Sequence, residues 1–165
     1  MKRLVLLGGP PGVGKSTLLA HLADLLPTAA LLDADDVRNT ATNFNEDPAV
    51  VIQTVVAAMR ERLASSDIGL LAWVFARPEM YLPVISGLED MVGSIEQIYL
   101  VAEEWAIAER LLKRGEIAKL DYARSRLELI HALPFLKIDT TSLTLTQTAI
   151  RLRQVLRIEC SEKEQ

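Results

Sequence analysis

Short apolar runs alternate with longer amphipathic stretches along the whole chain. The run RLVLL at residues 3–7 is rich in strand formers and is broken at once by GGPPG. In the following KSTLLAHLADLLP, Leu18, Leu19, Leu22, Leu25 and Leu26 recur at helical spacing until Pro27 ends the pattern. A second strand is expected in AALLDAD. A helix is expected from Asp47-Pro48 through AVVIQTVVAAMRERLAS, where the Asp-Pro pair is a helix-start signal. IGLLAWVFA is nearly continuous in apolar residues, as in a parallel strand covered on both faces. RPEMYLPVISGLEDMVGS predicts an irregular segment and a helix, IEQIYLVA a fourth strand, and EEWAIAERLLKRGE and DYARSRLELIHAL two more helices. PFLKIDTT supplies a fifth strand. TLTQTAIRLRQVLRI predicts a closing surface helix capped by Thr144 or Thr146. Strands alternating with helices, without repeats or linkers, predict one α/β domain over 1–165 with an open, mostly parallel sheet and helices on both faces.

Composition narrows the classes. In 165 residues, 50% are hydrophobic, enough for a full core, and intrinsic disorder is not expected. The net charge of −4 and the 5% aromatic content argue against nucleic-acid binding by counterion release or base stacking. One cysteine, Cys160, cannot form an internal disulfide. MKRLVLLGG lacks the features of a signal peptide, and no apolar run approaches the ~18 residues that span a bilayer. The expected address is the cytosol, with no membrane partner.

The charge is unevenly distributed. Residues 1–102 hold 7 basic and 12 acidic side chains, whereas 110–126 hold six basic (Arg110, Lys113, Arg114, Lys119, Arg124, Arg126) and two acidic. Arg110, Lys113 and Arg114 share a helix face, and Gly115 permits a hinge after them.

Gly9-Pro10-Pro11-Gly12-Val13-Gly14-Lys15-Ser16 fits G-x-x-x-x-G-K-[ST], with a strand before and a helix after it. Such a loop turns backbone N–H groups inward on phosphate oxygens at a positive helix end. Lys15 is expected on the β- and γ-phosphates, the Ser16 hydroxyl on Mg²⁺, and Thr17 at the helix start or on the α-phosphate. The chain lacks the guanine-reading N-K-x-D of GTPases, the acidic third strand end of AAA+ modules, and their length. A small phosphotransferase remains. The second strand ends in Asp33-Ala34-Asp35-Asp36-Val37-Arg38, at the sheet edge where ligands bind in open parallel sheets. If the strand runs through Asp35, Asp33 and Asp35 share one side. A carboxylate there can take the proton of an acceptor hydroxyl and Arg38 can hold a polar or anionic acceptor, while the plainer reading makes Asp35 or Asp36 a helix cap.

GGPPGVGKSTL followed by LLDADDVRN resembles the small P-loop kinases: the kinase domain of polynucleotide kinases, gluconate and shikimate kinases, and nucleotide-kinase-like proteins. KIDTTSLTLTQTA is similar to the loop after their fifth strand. The resemblance implies a three-layer P-loop NTPase fold with a five-stranded parallel sheet of order 2-3-1-4-5, ATP and Mg²⁺ as cofactors, and a short helical lid at about 110–126. By the same resemblance Asp35 approaches the acceptor hydroxyl, Asp33 lies near the metal's waters, and Arg38 binds substrate. Arg110 and Arg114 foremost, and after them Arg124 and Arg126, close on the triphosphate, the plainer reading of this charge run being a solvated amphipathic helix, and Asp139, Thr140 and Thr141 form a turn near the adenine. Many relatives carry an Asp at the end of the third strand, where this chain has Trp73-Val74-Phe75-Ala76-Arg77. Either Arg77 meets an anionic acceptor with Trp73 or Phe75 lining its pocket, or both aromatics are core and Arg77 is solvated. The expected activity is γ-phosphoryl transfer to a hydroxyl, or a phosphate, of a small polar metabolite, nucleoside or nucleotide. A nucleotide-binding regulatory protein and a 5′-end polynucleotide kinase are the alternatives. Oligomeric state is left open.

Overall fold

The computed structural model describes residues 1–40 and 47–158, with side chains at 38–40 set aside. Five parallel strands, β1 (Arg3–Gly8), β2 (Ala30–Asp33), β3 (Ile68–Ala72), β4 (Ser94–Val101) and β5 (Leu136–Asp139), form one sheet in the order β2-β3-β1-β4-β5. The expected order is borne out. Among the described residues seven helices connect and flank them: α1 (Lys15–Leu25), α2 (Ala34–Thr40), α3 (Pro48–Leu63), α4 (Pro78–Leu88), α5 (Glu104–Lys113), α6 (Leu120–Ala132) and α7 (Leu145–Leu156).

Both sheet faces are covered, which explains the unbroken apolar strand runs. Leu4 and Leu6 of β1 point into a core with Val55, Met59 and Leu63 of α3 and Val84 and Leu88 of α4. Val5 and Leu7 point the other way, into a core with Leu18 and Leu22 of α1, Ile107 and Leu111 of α5, and Leu152 of α7. Among the described residues no helix is long and apolar enough to cross a membrane.

Local signals fix the helix starts. Asp47 accepts a 2.9 Å hydrogen bond from Ala49 N, with Pro48 in the first turn of α3. At α7, Thr144 rather than Thr146 is the cap, because Gln147 completes a capping box: Gln147 N donates to Thr144 Oγ1 at 3.2 Å and Thr144 N donates to Gln147 Oε1 at 2.9 Å.

Three boundaries differ from the sequence expectation. β2 stops at Asp33, since the Asp33 carboxylate accepts from Asp35 N at 3.0 Å and turns the chain into α2. Asp35 and Asp36 therefore sit in the first turn of α2, not in strand alternation with Asp33. β3 ends at Ala72, and the chain beyond it bends through Phe75 at φ 44°. The backbone stays attached: Trp73 N donates to Leu7 O at 3.1 Å and Gly9 N to Val74 O at 3.4 Å. Finally, helix α4 begins directly at Pro78, leaving no irregular segment between residues 78 and 88.

Candidate functional site: two clefts around a phosphate loop

The loop between β1 and α1 lies at the carboxyl end of the central strand. Gly14 caps α1 at φ 105°, a left-handed conformation that any side chain would strain. It leaves the helix without a side-chain cap, so its first N–H groups are free to meet an anion. Lys15 is buried at 8% exposure, and its ammonium donates to Gly9 O at 2.7 Å and Pro10 O at 2.9 Å. Burial pulls its pKa from 10.5 down to about 8, opposed by the nearby Asp35 and Asp33 carboxylates and reinforced by Arg114. Ser16 and Thr17 are exposed at the start of α1.

On one side of the loop lies a narrow cleft of about 180 Å³ between Val13, Gly14 and Thr17, Arg110 of α5 with Arg114 at its C-terminal cap, and Thr140 after β5. Arg110 straps the cleft across: Nη1 donates to Val13 O at 3.3 Å and Thr140 Oγ1 at 3.1 Å, and Nη2 to Thr140 O at 2.7 Å. Arg114, one turn on, donates to Thr17 Oγ1 at 3.1 Å. Thr140 is buried and itself tied to Val101 O, while Leu143 and Leu145 add apolar wall. Asp139 is exposed and turned away, accepting from Thr141 N at 2.8 Å and Thr141 Oγ1 at 2.6 Å, bonds that hold its carboxyl below the ordinary range. Thr141 Oγ1 in turn accepts from Glu103 N, so the loop after β5 is pinned to the start of α5.

On the other side is a wider cleft of about 440 Å³. It is lined by Pro11 and Lys15 of the phosphate loop and α1, Asp35 of α2, Trp73 and Val74 after β3, and Lys119 and Tyr122 from the segment between α5 and α6 and the start of α6. Trp73 is both core and wall: it is 7% exposed and meets Phe75 edge to face at 5.9 Å, yet it borders the cleft. Phe75 is fully buried. Arg77 is exposed at the N-terminus of α4 and lines neither cleft. The Arg38 side chain lies outside the described residues.

The basic segment 110–126 divides. Arg110 and Arg114 face the narrow cleft, whereas Lys113 pairs with Glu109 at 2.7 Å. Arg124 is held by Glu104 at 2.5 Å and Asp121 at 3.0 Å, and Arg126 lies over the Tyr122 ring at 4.4 Å. Lys119 ends a 3₁₀ turn, Ile117–Lys119, between α5 and α6. Sequence reasoning counted Lys119 in the charge tally but gave it no role, and it passed over Tyr122. Their shared wall depends on that turn, which the apolar pattern does not announce.

A buried lysine bonded only to loop carbonyls, beside helix N–H groups and two carboxylates, suits a triphosphate with a divalent cation. Among the described residues no cluster of three or more His, Cys, Asp or Glu side chains could hold a metal.

Fold and loop together resemble those of the small P-loop kinases. No family model matches the chain. It is similar to the 2-phosphoglycerate kinase of Pyrococcus furiosus, 26% identical over 162 residues, or 97% of this chain and 46% of that protein. This chain thus spans about half the length of that relative. It is also similar to the adenylate kinase of a Cyanothece species, 29% identical over 132 residues covering 70% of this chain and 67% of that one. Among solved structures, the tunicamycin resistance protein of Deinococcus radiodurans shares the fold, with a TM-score of 0.70 at 19% identity over 97% of this chain and 98% of its own. The resemblance to small P-loop kinases is thereby borne out.

Proposed function

We propose that this chain is an ATP- and Mg²⁺-dependent phosphotransferase acting on a hydroxyl, or a phosphate, of a small polar metabolite, nucleoside or nucleotide. The observation that carries the reading is the placement of Lys15 and Asp35 on one cleft at the end of the phosphate loop. Kinases among its relatives support it.

The loop amides of residues 9–14 and the ammonium of Lys15 hold the β- and γ-phosphates, which replace the Gly9 and Pro10 carbonyls as partners of Lys15. Ser16 and Asp33 would hold Mg²⁺, which when bound would neutralise charge on the triphosphate. Thr140 and Arg110 border the nucleoside, and Arg110 and Arg114 bring positive charge against the triphosphate. Segment 110–126 acts as the lid, excluding water so that transfer outruns hydrolysis. The acceptor lies in the wider cleft, with Arg38 as the further substrate contact expected from the sequence, whereas Arg77, also expected there, lines neither cleft. Its hydroxyl oxygen forms the new bond to the γ-phosphorus as the bond to the β,γ-bridging oxygen breaks. ADP leaves with that electron pair, and the hydroxyl proton passes to the Asp35 carboxylate and then to water.

ADP release measured against a metabolite panel tests the assignment. Lys15→Ala and Asp35→Asn should each lower the acceptor-stimulated rate, the latter by about 10²- to 10⁴-fold. A stimulated rate left intact by either change refutes the roles. One observation favours a second reading, an ATP-dependent binding protein without transfer: β3 ends at Ala72 and Trp73 with no carboxylate. Tight ATP binding, no acceptor-stimulated turnover across the panel, and a partner retained only with ATP would select it.

A further inference from the structure

Tyr99 of β4 is fully buried and lines neither cleft, yet its side chain reaches two segments that matter to both. In the parallel pairing of β1 with β4 it stands beside Gly8. A Cβ at residue 8 would come within 2.2 Å of the Tyr99 ring, so only glycine fits there, and the ring lies directly against the strand end that opens into the phosphate loop. At the tip of the ring the hydroxyl donates to Phe75 O at 2.9 Å, with Gln97 Oε1 3.1 Å away. Burial pushes the phenol pKa up, so the proton it donates is retained at neutral pH.

Phe75 depends on that bond. Its φ of 44° is left-handed, a conformation that a residue with a side chain keeps only where its surroundings hold it there. The Tyr99 hydroxyl holds its carbonyl, the Trp73 ring meets its ring edge to face at 5.9 Å, and the ring itself is fully buried. The two residues before it, Trp73 and Val74, line the wider cleft. Their backbone is tied to β1 and the phosphate loop by Trp73 N to Leu7 O at 3.1 Å and Gly9 N to Val74 O at 3.4 Å, the second long for a hydrogen bond. Tyr99 supplies the side-chain brace between residue 8 and residue 75. A phenylalanine at 99 would pack on Gly8 and stack on Phe135 equally well. What tyrosine adds is a hydroxyl, costly to bury without a partner, and its partner is the bend.

We propose that Tyr99 is a positioning residue for phosphoryl transfer, its ring on Gly8 and its hydroxyl on Phe75 O holding Trp73 and Val74 at a fixed place relative to the phosphate loop. The proposal rests on the phosphotransferase reading, in which the loop carries the γ-phosphate and the wider cleft the acceptor. Such transfer is accelerated mainly by alignment of the attacking and leaving oxygens, so a small shift of the cleft against the loop lowers the rate without loosening the nucleotide.

The test compares two variants of the full chain. Tyr99→Phe keeps the ring on Gly8 and removes the hydroxyl; Phe135→Leu removes the ring stacked on Tyr99 at 5.8 Å and should leave the hydroxyl bond in place. Both weaken the same core, so a role in stability alone predicts that the two behave alike while folded. Each also carries Trp105→Phe, which leaves Trp73 as the one tryptophan. In native buffer without ligand, Tyr99→Phe should move Trp73 emission to longer wavelength and increase its quenching by acrylamide, and Phe135→Leu should do neither. Unchanged emission and quenching in Tyr99→Phe, or the same change in both variants, overturns the proposal.

Kinetics supply the second readout. With ATP, Mg²⁺ and a member of the metabolite panel that stimulates ADP release, Tyr99→Phe should lower kcat by about 10- to 100-fold with the KM for ATP within about twofold, and Phe135→Leu should leave both within about twofold. A kcat untouched by Tyr99→Phe, or lowered equally by Phe135→Leu, overturns the positioning role while leaving the kinase reading standing. Absence of stimulated ADP release from the unmodified chain defeats the phosphotransferase reading instead, and the Trp73 signal then measures the brace by itself.

Discussion

Replacing Lys15 by Met should make the protein more stable while removing its grip on nucleotide. The Lys15 ammonium is 8% exposed, and burial lowers its pKa from 10.5 to about 8. Below pH 8 the lysine is charged in both folded and unfolded chains, and the folded state bears the full cost of the buried charge. Between about pH 8 and 10.5 the folded state has lost the proton and the unfolded state keeps it, so stability rises with pH across that window and levels off above it. The difference of about 2.5 units corresponds to roughly 3 kcal/mol. Met fills similar volume without charge, but gives up the hydrogen bonds to Gly9 O and Pro10 O. A net gain of about 1–3 kcal/mol at pH 7 is expected. Urea denaturation of both proteins at pH 7 and at pH 10 checks it. The gap should narrow at the higher pH, because only the wild type gains there. A Lys15→Met protein that is less stable than wild type at pH 7, or a gap that does not shrink with pH, would refute the account of the buried charge.

The same titration predicts proton uptake on binding ATP: near pH 8 about half of the Lys15 side chains are neutral, so about half a proton is taken up per nucleotide. Calorimetry in buffers of different ionisation enthalpy measures it, and proton release would contradict it; ATP affinity should correspondingly fall as pH rises through 8. Arg110→Ala removes the strap joining Val13 O to Thr140, and titration should show nucleotide affinity lowered about tenfold or more. Gly14→Ala places a side chain at φ 105° with open space around it, so the backbone alone should cost about 1–3 kcal/mol in thermal denaturation. Tyr99→Phe removes the 2.9 Å bond from the buried Tyr99 hydroxyl to Phe75 O, which braces the bend after β3; denaturation should show a loss of about 1–3 kcal/mol.

Most of the fold could be read from the sequence because its signals are local and periodic. The β1 run, the glycine loop and the spaced leucines of α1 each demand one structure, and Asp47-Pro48 and Thr144 with Gln147 mark helix starts directly. The errors arose where a side chain competes with the backbone pattern. LLDAD alternates like a strand through Asp35, but the Asp33 carboxylate captures Asp35 N and starts α2 two residues early. IGLLAWVFA stays apolar through Ala76, yet the Tyr99 hydroxyl and the neighbouring β1 backbone hold the segment in a bend. No pattern in residues 68–76 encodes a partner on β4.

That bend answers, in part, the question raised by the missing third-strand acid. Because β3 stops at Ala72 and the chain turns at Phe75, position 73 presents an indole to the wider cleft where a strand-end carboxylate would otherwise stand. A carboxylate there would put a third negative charge beside Asp33 and Asp35, both close enough to Lys15 to oppose the lowering of its pKa. With Trp73 instead, the residues of this segment that line the cleft, Trp73 and Val74, are apolar, and the acidic side chain among its described lining residues is Asp35 of α2.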